Sequence, residues 1–153
     1  PTLTRIREDI FNLLLHNNYL NIDINELVLC DLFAGTGSIG IEALSRGVKK
    51  VIFNDIEKKH TNKIEEFLKK INEINYEITN IDPYKHKIDI LNICNVIYID
   101  PPYDHKFESI QNKILINLQS NILIILESSN SINLDNVILK KQYKNKNIFF
   151  FRT

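Results

Sequence analysis

The chain has 153 residues, 44% hydrophobic and 25% charged, and its 19 basic and 19 acidic residues cancel to a net charge of +0. That length and composition fit a single domain over 1–153 with one sizeable core, and the neutral balance excludes a polycation that holds nucleic acid by charge alone. The longest apolar run, NILIILES at 121–128, falls well short of the ~18 residues a membrane span needs and suits a buried strand.

No charged segment followed by an apolar stretch opens the chain, so no secretory signal is read. The sequence begins at Pro1 and contains no Met, which points to a trimmed chain with an extension ahead of it. There are 27 Ile, 20 Asn and 15 Lys against 4 Arg. The enriched residues share A/T-rich codons, so Lys- and Asn-rich patches carry little functional weight. Cys30 and Cys94 lie in apolar runs and read as small buried hydrophobes in a reducing cytoplasm or organelle matrix.

In chain order, TRIREDIFNLLLHN (4–17) places Ile6, Ile10, Leu13 and Leu14 at helical spacing, an amphipathic helix. ELVLCDLF (26–33) reads as a buried strand, SIGIEALSRG (38–47) as a helix closed by Gly47, and KKVIFND (49–55) as the second strand. From Glu57 to Asn75 the residues Ile64, Phe67, Leu68, Ile71 and Ile74 predict a long helix with one apolar face. YEITN (76–80) and VIYID (96–100) are the third and fourth strands, Phe107 to Leu118 a helix, and NILIILE the fifth strand. VILKKQY and KNIFFFR then form a closing hairpin. Strands alternating with helices predict an α/β fold: a mostly parallel sheet, helices on both faces, and an antiparallel C-terminal hairpin at one edge.

Within DLFAGTGSIG (31–40), Gly35, Gly37 and Gly40 have the spacing G-x-G-x-x-G, and Asp55 follows Gly35 by 20 residues. That is the fingerprint of a dinucleotide site. In an open α/β sheet, ligands bind beyond the carboxyl ends of the strands. Here five strands end at or near Asp31, Asp55, Asp82, Asp100 and Glu127. A pyrophosphate beside Asp31 would be repelled, whereas the ammonium and sulfonium of S-adenosylmethionine would be favoured. Its carboxylate could take N–H groups around Thr36 to Ser38, and Asp55 could take both ribose hydroxyls. The glycines alone leave both cofactors open; the acids favour S-adenosylmethionine.

DPPY (100–103) adds the chemistry. Two prolines fix φ and remove two backbone donors, leaving a carbonyl in a rigid turn. Asp100 and that carbonyl can accept both protons of an exocyclic amine while its lone pair attacks a methyl group. Tyr103 offers a ring on which a flipped base could stack.

Together, DPPY and DLFAGTGSIGIEALSRG resemble the class I amino-methyltransferases. PTLTRIREDIFNLL at the front is similar to the P-T-x-x-R-x-R-E-x-x-F-N segment of the RsmD-type 16S ribosomal RNA guanine-N2 methyltransferases. The resemblance runs from Pro1 to the closing hairpin, with ILIILES and IFFFR matching the fifth and final strands. It implies the Rossmann-like class I methyltransferase sheet and a SAM-dependent rRNA methyltransferase. The methyl donor would be S-adenosyl-L-methionine, the product S-adenosyl-L-homocysteine, and no metal would take part.

Carried over, Asp31, Ala34, Gly35, Thr36 and Gly37 would line the methionine end, Asp55 would bind ribose, Ile56 would pack on adenine and Asp82 would receive the adenine amine. Asp100, Pro101, Pro102 and Tyr103 would form the catalytic turn. Arg5, Glu8, Phe11 and Asn12 match the front helix, which borders the active site. The partner would be ribosomal RNA or the small ribosomal subunit, with no membrane contact, and the protein a monomer.

Two features depart from the family. Its basic N-terminal β-hairpin, which grips RNA, would precede Pro1, so these residues alone are expected to hold RNA weakly. A glycine usual near the last hairpin is replaced around KNKN (144–147). The alternatives are an adenine-N6 methyltransferase, a dinucleotide-dependent oxidoreductase and a non-catalytic methyltransferase-like binding domain.

Overall fold

The computed structural model describes residues 2–16, 22–102 and 104–153. Its first half comprises α1 (Thr2–His16), β1 (Val28–Asp31), α2 (Ser38–Ser45), β2 (Lys50–Asn54), α3 (Lys58–Lys70) and β3 (Tyr76–Thr79). The second half comprises β4 (Val96–Ile99), α4 (Phe107–Lys113), β5 (Leu123–Ser128), β6 (Val137–Gln142) and β7 (Asn147–Arg152). The strands form one sheet in the order β3-β2-β1-β4-β5-β7-β6. β1 to β5 pair in parallel, and β7 pairs antiparallel with both β5 and β6. This is the expected α/β architecture.

Both faces of the central strands are covered, which is why they read as unbroken apolar runs. On β2, Val51 and Phe53 pack into one core with Ile10, Ala43, Ile64 and Leu68. Ile52 between them faces the other core with Leu91, Ile110 and Ile114. The C-terminal hairpin divides its labour. β7 inserts between β5 and β6 and buries Ile148 to Phe151, whereas β6 is the edge strand and alternates half-buried with exposed residues.

The long apolar stripe expected from Glu57 to Asn75 is cut short. Asn72 adopts a left-handed φ of 57°, and the Glu73 N–H donates to the Leu68 carbonyl at 2.9 Å, a backbone closure that stops a helix. α3 therefore ends at Lys70. Ile64 and Leu68 are buried, but Phe67, Ile71 and Ile74 are exposed. α4 likewise stops at Lys113 and continues only as a 3-10 turn over Leu115–Asn117. Among the described residues no helix is long and apolar enough to cross a membrane.

The order of the strands positions the site. From β1 the chain winds outward through β2 to β3, then returns to start β4 on the other side of β1. At such a reversal the flanking loops diverge and leave a crevice at the carboxyl ends of the strands.

Candidate active site

A cavity of about 730 Å³ occupies that crevice, and Asp31, Asp55, Asp82, Asp100 and Glu127 all line it. The five strand-end acids of the sequence thus share one site. Ala34, Gly35, Thr36, Ile56, Pro101 and Pro102 line it too. Tyr103 lies outside the described residues.

The turn after β1 is pinned by backbone bonds. Leu32 N–H donates to the Tyr98 carbonyl at 3.1 Å and Ala34 N–H to the Asn54 carbonyl at 2.9 Å. Gly35 takes a positive φ of 56° and donates its N–H to Asp55 Oδ2 at 2.8 Å. Asp55 Oδ1 accepts the Glu57 N–H at 2.9 Å, and His60 Nδ1 lies 3.2 Å from Asp55 Oδ2. The acid at the end of β2 thus clamps the glycine turn to the start of α3 as well as facing the cavity.

The other two glycines of the spacing serve packing. Gly37, at φ 78°, caps α2, and its N–H is spent on the Ala34 carbonyl at 2.7 Å. A Cβ there would stand 2.9 Å from Ile64, so the Gly37 Cα packs closely against α3. A Cβ on Gly40 would collide with the Phe53 ring and approach Val51 at 2.8 Å. It is glycine because α2 lies directly on β2.

Asn54 braces the neighbouring strand ends. Its amide donates to the carbonyls of Leu32 (3.1 Å) and Ile81 (2.9 Å). Its Oδ1 accepts the Thr79 hydroxyl at 2.7 Å and the Ile81 N–H at 3.0 Å. All four hydrogen-bonding positions of the amide are used, which fixes Asp55 and Asp82 relative to β1. Asp82 Oδ1 accepts the Tyr84 N–H at 3.0 Å, and Ile56, 60% exposed, stands at the lip. Phe33, Tyr84 and His105 form an aromatic wall, with the Tyr84 hydroxyl 2.8 Å from His105 Nδ1. Burial pushes the Tyr84 phenol up to about 12, so it keeps its proton.

The floor of the site is electrostatically strained. Asp31 is 2% exposed, and its nearest described donor is the Gly40 N–H at 3.4 Å. Burial, joined by the charges of Asp100, Glu127 and Asp55, drives its carboxyl well above the usual carboxylate range. Burial also raises Asp100 and Glu127, opposed in each by Lys146. Lys146 Nζ lies 2.9 Å from Glu127 Oε1 and 3.8 Å from Asp100 Oδ2. Burial alone would lower its own pKa, but the two carboxylates outweigh that and raise it. The Pro102 carbonyl accepts the His105 N–H at 2.8 Å, closing the double-proline segment as a turn.

From α1, the residues that reach the cavity are Leu3, Ile6 and Arg7. Arg5 instead lies outside, 4.0 Å from Asp9, Glu8 and Asn12 are exposed, and Phe11 is a core residue under the Arg46 guanidinium. The Arg7 Nε is buried and makes no hydrogen bond among the described residues, although Glu42 Oε1 is 3.4 Å away. A cationic donor with an unused buried N–H and a buried acid with one long hydrogen bond thus line the same cavity, which fits an amino-acid zwitterion. Sequence reading passed over Arg7, the second arginine of the front-helix segment, and missed Asn54, Lys146 and the aromatic wall, which sit in no short motif. The two arginines one helical turn's fraction apart, Arg5 and Arg7, differ only in phase relative to the buried stripe of Ile6 and Ile10, which was the one available signal.

A family profile described as Conserved hypothetical protein 95 matches residues 1–151. The chain belongs to that family. Its relatives include proteins named Ribosomal RNA small subunit methyltransferase D. The one from Buchnera aphidicola (subsp. Baizongia pistaciae) is 34% identical over 98% of this chain and 78% of its own length. The one from Haemophilus influenzae is 30% identical over 84% of this chain and 67% of its own. The family assigned here is therefore the one the front helix, glycine turn and DPPY segment resemble. A crystal structure from Haemophilus influenzae superposes with a TM-score of 0.76 at 26% identity, covering 99% of this chain and 98% of that one. A chain crystallised with S-adenosylhomocysteine shares the fold at a TM-score of 0.71 and 13% identity, over 96% of this chain and 49% of that one.

Proposed function

We propose that the protein transfers a methyl group from S-adenosylmethionine to the exocyclic N2 amine of a guanine in small-subunit ribosomal RNA. The observation that carries the reading is the meeting of buried Asp31 with Asp100 and its double-proline turn in one cavity. A buried acid beside three other carboxylates gains from a cationic ligand, and its ionised form repels a pyrophosphate. A dinucleotide fits poorly for the same reason.

Arg7 would hold the methionine carboxylate, Asp31 the ammonium, Asp55 the ribose hydroxyls, and Ile56 and Asp82 the adenine. S-adenosylmethionine supplies an electrophilic methyl group on sulfur: the amine lone pair forms the N–C bond as the S–C pair returns to sulfur. Asp100 accepts an N–H of the amine, orienting its lone pair toward the methyl group. The amine becomes strongly acidic only once methylated, so Asp100 takes no proton before attack and the released proton leaves through it to solvent. Catalysis rests on positioning and on a fixed acceptor. The names of the relatives support ribosomal RNA of the small subunit as substrate.

The test is transfer of a radiolabelled methyl group to ribosomal RNA. Label should enter small-subunit RNA and not large-subunit RNA; label in neither, with the cofactor bound, overturns the reading.

A further inference from the structure

Lys146 belongs to the loop between β6 and β7, within KNKN (144–147), and nothing in the methyl-transfer step described above uses it. It nevertheless reaches the centre of the site. Its ammonium lies 2.9 Å from Glu127 and 3.8 Å from Asp100. Glu127 has a side chain only 5% exposed, and its Oε1 has this ammonium as a donor. β4 and β5 are parallel neighbours with Ile99 opposite Leu126, so the next step on each strand sets Asp100 beside Glu127 about 4.8 Å away. A second cavity of about 110 Å³ shares Asp100, Pro102 and Glu127 with the first and adds Lys146 to its lining. Two acceptors and one donor therefore converge where the cofactor cavity opens onto the turn.

We propose that Glu127 and Lys146 are the specificity-determining residues that read the Watson–Crick edge of guanine. This rests on the reading of Asp100 as the acceptor for the reacting amine. That edge presents two donors and one acceptor in order: the N2 amine, the N1–H and the O6 carbonyl. Asp100 accepts from N2, Glu127 accepts from N1–H, and Lys146 donates to O6. Without RNA, the ammonium pairs with both carboxylates and offsets one of their two charges; with guanine bound, it moves from between them to the carbonyl. Adenine carries its amine at C6 and a bare lone pair at N1. Presenting that amine to Asp100 would set the N1 lone pair against the Glu127 carboxylate and leave Lys146 without an acceptor. A site whose buried polar groups are left unpaired rejects the analogue strongly.

The test crosses two variants with two substrates. One synthetic RNA carries guanine at the modified position. The other carries 2-aminopurine there, which keeps the N2 amine but has a bare N1 and no O6. The unmodified protein should prefer guanine in kcat/KM by at least roughly 10-fold. Lys146→Met should slow methylation of guanine roughly 10- to 100-fold and 2-aminopurine far less, so that the preference collapses, while Lys146→Arg keeps it. Glu127→Gln should narrow the preference as well, because its amide can turn a donor toward the bare N1. Equal losses on both substrates mark a merely structural role and overturn the proposal, as does an unchanged preference. N6-methyladenosine as the product of the unmodified protein overturns the functional reading itself. N2-methylguanosine with an unchanged preference in both variants overturns this inference alone.

Discussion

Asp55 Oδ2 accepts the backbone N–H of Gly35 at 2.8 Å, so the acid that faces the proposed ribose also holds the glycine turn against β2. One side chain thus shapes the pocket and contributes to its contents. Asp55→Ala removes this bond and the one from Glu57 N–H at 2.9 Å. S-adenosylhomocysteine binding should weaken by about 2–4 kcal/mol, since hydrogen bonds to a charged acceptor contribute roughly 1.5–3 kcal/mol each. The melting temperature should also fall by several degrees, because both lost bonds brace the folded turn. Calorimetry and thermal denaturation check both. An affinity change under threefold removes Asp55 from the ribose role, and an unchanged Tm removes it from the clamp.

The third glycine of the spacing is predicted to be structural. Gly40→Ala drives a methyl group into the Phe53 ring beneath α2, and overpacking of this kind typically costs about 1–3 kcal/mol. Urea denaturation should show that loss, while the affinity for S-adenosylhomocysteine of the folded fraction stays close to that of the parent. A loss of affinity with full stability would instead make Gly40 part of the ligand surface.

Asp31 predicts a pH dependence of definite sign. Its folded pKa is raised above 3.8, so its contribution to stability is fully present below that value and is lost as pH rises through the raised folded value. Asp31→Asn should therefore raise the Tm, and the gain should grow toward neutral pH. A cationic ligand prefers the ionised carboxylate, so S-adenosylhomocysteine should bind more tightly as pH rises until Asp31 is ionised in the free protein. Below that point binding should release a proton, visible as a heat that depends on the buffer. Asp31→Asn should abolish this dependence and weaken binding. A variant with lower Tm and parental affinity would contradict the assignment.

Much of this was legible in the sequence, for physical reasons that also mark where reading stops. Strands buried on both faces show as apolar runs, so VLCD, VIFN, VIYI and LIILE could be placed in order, and the acids that end them fell on one edge. The glycine turn and the double proline are local chemistry. The end of α3 was not legible, because Asn72 closes the helix through a backbone conformation while the apolar spacing runs on to Ile74. Gly37 and Gly40 have the spacing of ligand-facing glycines and pack closely against Ile64 and Phe53, which only the packing of α2 reveals. Lys146 comes from a hairpin loop 46 positions after Asp100 and 19 after Glu127. Its part in the site depends on β7 inserting beside β5, a long-range pairing that no local pattern encodes.

The most direct measurement is the identity of the methylated nucleoside formed on small-subunit ribosomal RNA by the parent and by Asp100→Ala, read by mass spectrometry after digestion. N2-methylguanosine is the expected product of the parent. Asp100→Ala should form it about 10²–10³ times more slowly with S-adenosylhomocysteine affinity nearly unchanged. N6-methyladenosine from the parent, or N2-methylguanosine from Asp100→Ala at the parent's rate, would contradict methyl transfer to a guanine amine held at Asp100.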